Sequence, residues 1–277
     1  MHGREVFLLQ ESNGVAEAGM AGVVFGRGVL RRFQSMPDGL YGGPYFKPNL
    51  APENKAEFLK HFYDWMKGGR LIRVDIHNPG ENIELPGLRP FITECHVVDL
   101  TDDAFDPGKK VVKHIRAGKR RESTIEKMQK VEHLAEFYEL AVISEKRHGQ
   151  KPRYRRGFFE RLLELSRQDE RILWLNLRAG EKLAGSRICF IEGNQILSWQ
   201  FYMNHDYKEL KPSHLLLDYV IDYARRCGMA ELNLGWSPPE AVSLMDFKES
   251  WGGRRRAITN YRYFSRLGKL VYRWRRR

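Results

Sequence analysis

The sequence predicts a mixed α/β (α+β) fold built from two related units. Three observations predict it. The second half orders its apolar runs as two helices, three strands, a helix, a strand, a helix and a strand. Tight turns, "RAGEK" and "EGNQ", join the three strands, as in an antiparallel meander. In each half a helix stopped by glycine feeds a strand: Gly68-Gly69 precedes "LIRVDI", and Gly228 precedes "AELNLGW".

Val6 to Gln10 is short and apolar, as a buried strand would be. Ala21 to Gln34 gives two strand pieces around Gly26-Arg27-Gly28. "SMPDGLYGGPYFKP" is dense in proline and glycine and predicts a loop. Glu53 to Lys67 places Phe58, Phe62, Trp65 and Met66 on one helical face. "RLIRVDI" and Phe91 to Leu100 are strands on either side of a proline-rich passage. Residues 108–130 are strongly basic and poor in core residues, which predicts a connector containing a helix.

Glu132 to Arg147 and Gly157 to Arg167 are amphipathic helices. Ile172 to Leu177, Leu183 to Ile191 and Ile196 to Met203 are the meander strands. His214 to Cys227 is a helix that puts Leu216, Val220, Tyr223 and Cys227 on one face. Glu231 to Leu234 is a strand, Glu240 to Trp251 a short helix, and Ala257 to Phe264 the last strand. The expected division is an N-terminal unit over 1–107, the connector over 108–130 and a C-terminal unit over 131–277.

Composition narrows the function. Of 277 residues, 42% are hydrophobic, enough for a packed core, and the net charge is +12. That excess favours polyanionic partners: nucleic acid, anionic lipid headgroups or phosphorylated substrates. The three cysteines, Cys95, Cys189 and Cys227, are scattered and form no CxxC, so a reducing compartment is expected rather than a disulfide framework. No HExxH or paired Cys/His spacing marks a metal site. "MHGREVFLLQESNG" lacks the apolar run of a signal peptide, and no stretch approaches the roughly 20 apolar residues of a membrane span. A cytoplasmic protein is expected.

The element order of the second half resembles that of the GCN5-related N-acetyltransferase (GNAT) fold, the acyl-CoA N-acyltransferase fold. "HDYKELKPSHLLLDYVIDYARRCGMAELNLGWS" followed by "FKESWGG" resembles the FemAB-like branch of that superfamily. "SMPDGLYGGPYF" and "FYELAVISEKRHG" resemble it too, so the likeness covers most of the chain in order. It implies two GNAT-like units and acyl transfer to an amine or hydroxyl of a cell-envelope or polysaccharide precursor; the first unit departs from the family's pattern in being short at its N-terminus. The acyl donor would be aminoacyl-tRNA or acyl-CoA, with no tightly bound cofactor.

The resemblance assigns Lys248 to the family's Phe-Lys motif. A fixed ammonium there would stabilise the oxyanion and leaving oxygen of acyl transfer, and one such donor is worth about 3 kcal/mol. It makes Tyr41, Gly42 and Gly43 the Tyr-Gly-Gly loop, where glycine permits close backbone approach to a ligand. Tyr207, Trp236 and Phe247 are candidates to contact substrate, Trp236 because it ends a strand. Trp199 and Tyr202, three apart on one strand, should face opposite sides of the sheet. His205, Asp206 and Glu249 are candidates by position for a general base.

In acetyl-CoA-binding members a glycine-rich turn aims N–H groups at the pyrophosphate. Here the turn is "YKELKPSHLL", which has no glycine and contains Pro212, a residue without an N–H. This disfavours ordinary acetyl-CoA. An acyl-CoA enzyme with an atypical cofactor site, or a non-catalytic RNA- or membrane-surface module on the same scaffold, are the alternatives. The tail "YFSRLGKLVYRWRRR" interleaves Leu267, Leu270, Val271 and Trp274 with basic residues, as expected for peripheral contact with an anionic membrane, for contact with tRNA phosphates, or for a cap on the core.

Overall fold

A computed structural model of the chain describes residues 3–36, 40–77, 83–101, 105, 107–147, 149 and 151–274. Parts of three sequence expectations lie outside them: Pro37 to Gly39 of the Tyr-Gly-Gly loop, 78–82 of the proline-rich passage, and the last three arginines. The chain forms two compact units, Met1–Glu94 with Ala257–Arg277, and Cys95–Arg256.

The first unit opens with β1 (Gly3–Ser12) and β2 (Val15–Phe25), an antiparallel hairpin. Its turn is Asn13-Gly14, with φ of 52° and 77°, the left-handed pair that matches the strand twist. β3 (Arg32–Gln34) continues the sheet beside β2, and the two-residue β4 (Tyr45–Phe46) pairs with β2 elsewhere. Helix α1 (Pro52–Gly68) starts on Pro52, whose missing N–H costs nothing at that position. It buries Phe58, Leu59, Phe62 and Met66 against Phe33, Val74 and Ile76 of the sheet. β5 (Arg73–Ile76) runs parallel to β3.

β6 (Arg89–Asp99) leads into the second unit, followed by α2 (Lys109–Lys119), β7 (Thr124–Lys127), α3 (Glu132–Arg147) and α4 (Arg156–Ser166). The meander is β8 (Ile172–Ala179), β9 (Lys182–Glu192) and β10 (Gln195–Met203). Then come α5 (Pro212–Arg226), β11 (Glu231–Trp236) and α6 (Val242–Ser250). The strand order here is β6-β11-β10-β9-β8-β7; every pairing is antiparallel except β10 with β11. Strand alternation splits β8 between two cores. Leu173, Leu175 and Leu177 join the residues of α2 and α5, while Trp174 joins those of α3 and α4. One helix pair therefore covers each face.

β12 (Arg254–Phe264) and α7 (Arg266–Trp274) complete the chain. Here the structure corrects the expected division. Tyr261–Phe264 of β12 pairs with β5, buried Asp75 accepts from both Arg73 and Arg262, and the Ser265 N–H bonds Ile72 O at 3.0 Å. The last strand from Ala257 onward, and the tail, thus belong to the first unit. Residues 108–130 are also no linker: α2 and β7 are integral to the second unit. Val111 and Ile115, one turn apart, are enough to seat α2 in the core, and its many basic residues face water.

Trp199 and Tyr202 correct a third expectation. Both pack into the α3–α4 core rather than on opposite faces. The β9–β10 register shifts between Ser198 and Gln200, and this extra residue turns a three-residue spacing into an even one.

Candidate active site

The second unit's parallel pair is joined only at its start: Gln195, Ile196 and Leu197 of β10 face Glu231, Leu232 and Asn233 of β11. Beyond Leu197 the pairing ends, while β10 stays with β9 through its bulge. β11 then bends. Asn233 Oδ1 accepts the Gly235 N–H at 2.8 Å, and Gly235 takes φ of 74°, open to glycine at little cost. The splay and bulge leave backbone carbonyls and buried side chains unpaired by the sheet, which is where a ligand can be held.

Lys248 projects from α6 to this point. Only 5% of it is exposed, and its Nζ donates to Gly235 O at 2.8 Å and Trp236 O at 3.0 Å. Burial pushes its pKa down to about 8; Cys95 opposes the shift and the Arg187 guanidinium adds to it. Of the three N–H donors of a lysine, two are held by these carbonyls. The helix end behind it is closed by glycine: Gly252 has φ of 78°, and the Gly253 N–H bonds Lys248 O at 3.0 Å. A Cβ on Gly253 would stand 2.6 Å from that oxygen. Gly253→Ala is therefore expected to destabilise the protein by more than about 1 kcal/mol in chemical denaturation.

Arg187, absent from the sequence-based site, is the second cation. It lies on β9, 5% exposed, donating to Ser198 Oγ at the bulge and to Ser213 O at 3.5 Å, with its guanidinium 4.7 Å from the Phe201 ring centroid. Burial lowers its pKa to about 10, so it stays charged at neutral pH, while burial raises its neighbour Cys189 to about 12 and keeps that thiol neutral. Among the described residues neither Arg187 nor Lys248 has a carboxylate partner, and Arg187 Nε has no hydrogen-bond acceptor. A buried charge without a counter-charge is costly. The sequence did carry a signal: one arginine inside the apolar run "LAGSRICFI".

α5 begins against these groups. Its first residues come close because Gly185 on β9 has no side chain; a Cβ there would be 2.9 Å from Pro212 Cβ. Lys211 ahead of it is left-handed, φ 54°. The His214 and Leu215 N–H groups both bond Lys211 O, at 2.9 and 3.0 Å, and Pro212 has none. The helix start thus offers little to a pyrophosphate. His214 lies 4.7 Å from the His114 ring and 5.4 Å from the Phe247 ring, with Nδ1 3.2 Å from Ser213 Oγ. Burial, then His114, Lys211 and Arg187, hold its pKa near 4, so it is neutral at pH 7.

Trp236, half exposed, and Phe247, packed on His214 and Trp251, share this region with Lys248. Lys248 is not the solvated helix lysine whose replacement would leave stability untouched; its ammonium is buried on two carbonyls. Tyr207 lies on the 3-10 turn His205–Leu210, packed against the α5 core. His205 and Asp206 are exposed there, and Glu249 is engaged by Arg255 at 2.8 Å and lies 3.6 Å from His96. Tyr41, Gly42 and Gly43 belong to the first unit. The Gly42 N–H bonds His77 O at 2.7 Å, and the space a Cβ would take there is filled by Met36. Among the described residues no group of three His, Cys, Asp or Glu side chains could hold a metal.

The family model described as an acetyltransferase (GNAT) domain matches residues 109–249. No curated protein matches the sequence. Among solved structures, FemX superposes with a TM-score of 0.71 at 11% identity, over 98% of this chain and 90% of that one. A C-terminal domain from Agrobacterium fabrum, assigned to a lysylphosphatidylglycerol synthetase, gives 0.69 at 16%, over 97% and 86%. A tandem GNAT protein from the clavulanic acid biosynthesis pathway gives 0.55 at 12%, over 95% and 83%. At these identities the likeness is one of fold. The matched segment contains the splayed pair, the bulge and both buried cations, and by it this chain belongs to the acetyltransferase (GNAT) domain family.

Proposed function

We propose that the chain transfers an acyl or aminoacyl group to an amine or hydroxyl of a cell-envelope precursor, with the splayed β10–β11 end as its active site. The observation that carries this reading is the pair of buried cations, Arg187 and Lys248, that have no carboxylate partner among the described residues. Acyl transfer develops negative charge on the carbonyl oxygen and on the leaving oxygen. A preformed cation in a dry site stabilises that charge without reorganisation. Lys248, anchored on Gly235 O and Trp236 O, keeps one N–H for such an oxygen. Arg187 would face an anionic group of donor or acceptor, such as a phosphodiester. Support also comes from the fold shared with FemX and with a domain assigned to lysylphosphatidylglycerol synthesis.

The start of α5 favours a donor other than acetyl-CoA, because Pro212 has no N–H and the His214 and Leu215 N–H groups are already bonded to Lys211 O. Calorimetry with acetyl-CoA is expected to show no binding, and transfer from aminoacyl-tRNA to an amine acceptor is expected to be detectable with the same preparation. Micromolar binding of acetyl-CoA, lost on substitution around Lys208 to His214, would instead establish an acyl-CoA enzyme with an atypical cofactor site.

A further inference from the structure

We propose that the α7 face of the first unit docks on an anionic lipid bilayer, with an apolar cleft beside the helix receiving lipid chain. This does not depend on which donor or acceptor the second unit uses.

Helix α7 is pinned to its unit along one narrow edge. Gly268 is buried, and a side chain there would collide with the Ile72 carbonyl. The Tyr272 ring lies 5.0 Å from Phe264, and Ser265 Oγ accepts the Gly268 N–H at 3.0 Å. The helix therefore cannot roll to bury its apolar stripe. Leu267, Leu270 and Trp274, spaced i, i+3 and i+7, are 42%, 63% and 79% exposed. Leu267 also lines a cleft of about 270 Å³ with Met66, Leu71 and Val29, and Val29 is itself 63% exposed.

The charges beside this patch all have one sign. Lys67 and Arg70 line the cleft, and Arg266, Lys269 and Arg273 flank the stripe on α7. Among the described residues none of these five forms an ion pair with a carboxylate. Lys67 rests instead on the rings of Tyr63 and Tyr263, 5.3 and 5.0 Å from their centroids. An apolar stripe edged by unpaired cations is complementary to an interface with hydrocarbon below and anionic headgroups above. A nucleic acid would satisfy the cations but leave the leucines, Trp274 and the cleft in water. Among the described residues no helix is long and apolar enough to cross a membrane, so the contact is a surface one.

The test is co-sedimentation of the full chain with vesicles of phosphatidylcholine alone and of phosphatidylcholine mixed with phosphatidylglycerol. Binding should require phosphatidylglycerol and weaken with salt. Leu270→Ser and Val29→Ser should each weaken it about tenfold through lost apolar burial. Lys269→Gln should weaken it about fivefold. All three side chains are exposed, so melting temperatures should stay at the wild-type value. Absence of vesicle binding overturns the proposal, as does binding indifferent to both serine variants. Binding of tRNA that falls with Lys269→Gln and ignores Leu270→Ser, without vesicle binding, would make the face a nucleic-acid surface. A dimer that Leu270→Ser converts to monomer, again without vesicle binding, would make the stripe an interface between copies of the chain.

Discussion

Lys248→Met is expected to lower turnover by about 10²–10³ and to destabilise the fold by about 1–3 kcal/mol. The first effect follows from removing a fixed positive charge at the transfer site. The second follows from stranding Gly235 O and Trp236 O, which both lose their donor at the bend of β11. The pH dependence separates the two. With a pKa near 8, the ammonium is lost as pH rises through 8, so activity should fall above that point. Stability moves the other way. Between about 8 and about 10.4, the ordinary lysine value, the unfolded chain binds more protons than the native one, so this residue's contribution rises with pH. Below 8 both states are protonated and the cost of burying the charge is fully present. Both trends should vanish in Lys248→Met, measured by turnover and by denaturation across pH 7 to 10. Full turnover with lost stability would make Lys248 a purely structural clamp.

Arg187→Met should separate function from stability even more sharply. Transfer should fall by at least about 10²-fold, while unfolding free energy rises by about 1–3 kcal/mol. Among the described residues the buried guanidinium has no carboxylate partner, and its Nε has no acceptor. A methionine fills similar space beside Phe201 and removes the desolvation cost of the charge. Natural sequences keep such a group where function needs it. Inorganic phosphate should raise the melting temperature of the wild type more than that of the variant, since Arg187 is the cation of the site whose Nε has no acceptor among the described residues. A variant that is less stable and fully active would show that Arg187 serves packing alone.

The local sequence determined most of the secondary elements and their order, but not β4, β7 or α7. Apolar spacing placed α1, α3, α4 and α5, because a helix shows its buried face every three or four residues. Turn residues delimited the meander β8–β10. Asn13-Gly14 was an equally plain hairpin signal, and with it β2 could have been started at Val15 rather than Ala21. The Phe247-Lys248 pair and the glycine-free start of α5 were also legible, since both are short motifs.

What only the tertiary structure decided was which element joins which unit and what each buried group meets. Most of β12, from Ala257, and α7 follow the second unit in sequence but belong to the first, because the end of β12 finds its hydrogen-bond partner in β5, far back in the chain. α2 and β7 looked like linker because their charged faces dominate their composition, yet the buried Val111, Ile115 and Gly118 seat α2. The extra residue at the β10 bulge reversed the facing of Trp199 relative to Tyr202. The isolation of Arg187 and Lys248 is of the same kind. A residue's own neighbours in sequence fix its period and propensity, whereas its burial and counter-charge come from strands and helices paired across long stretches of chain.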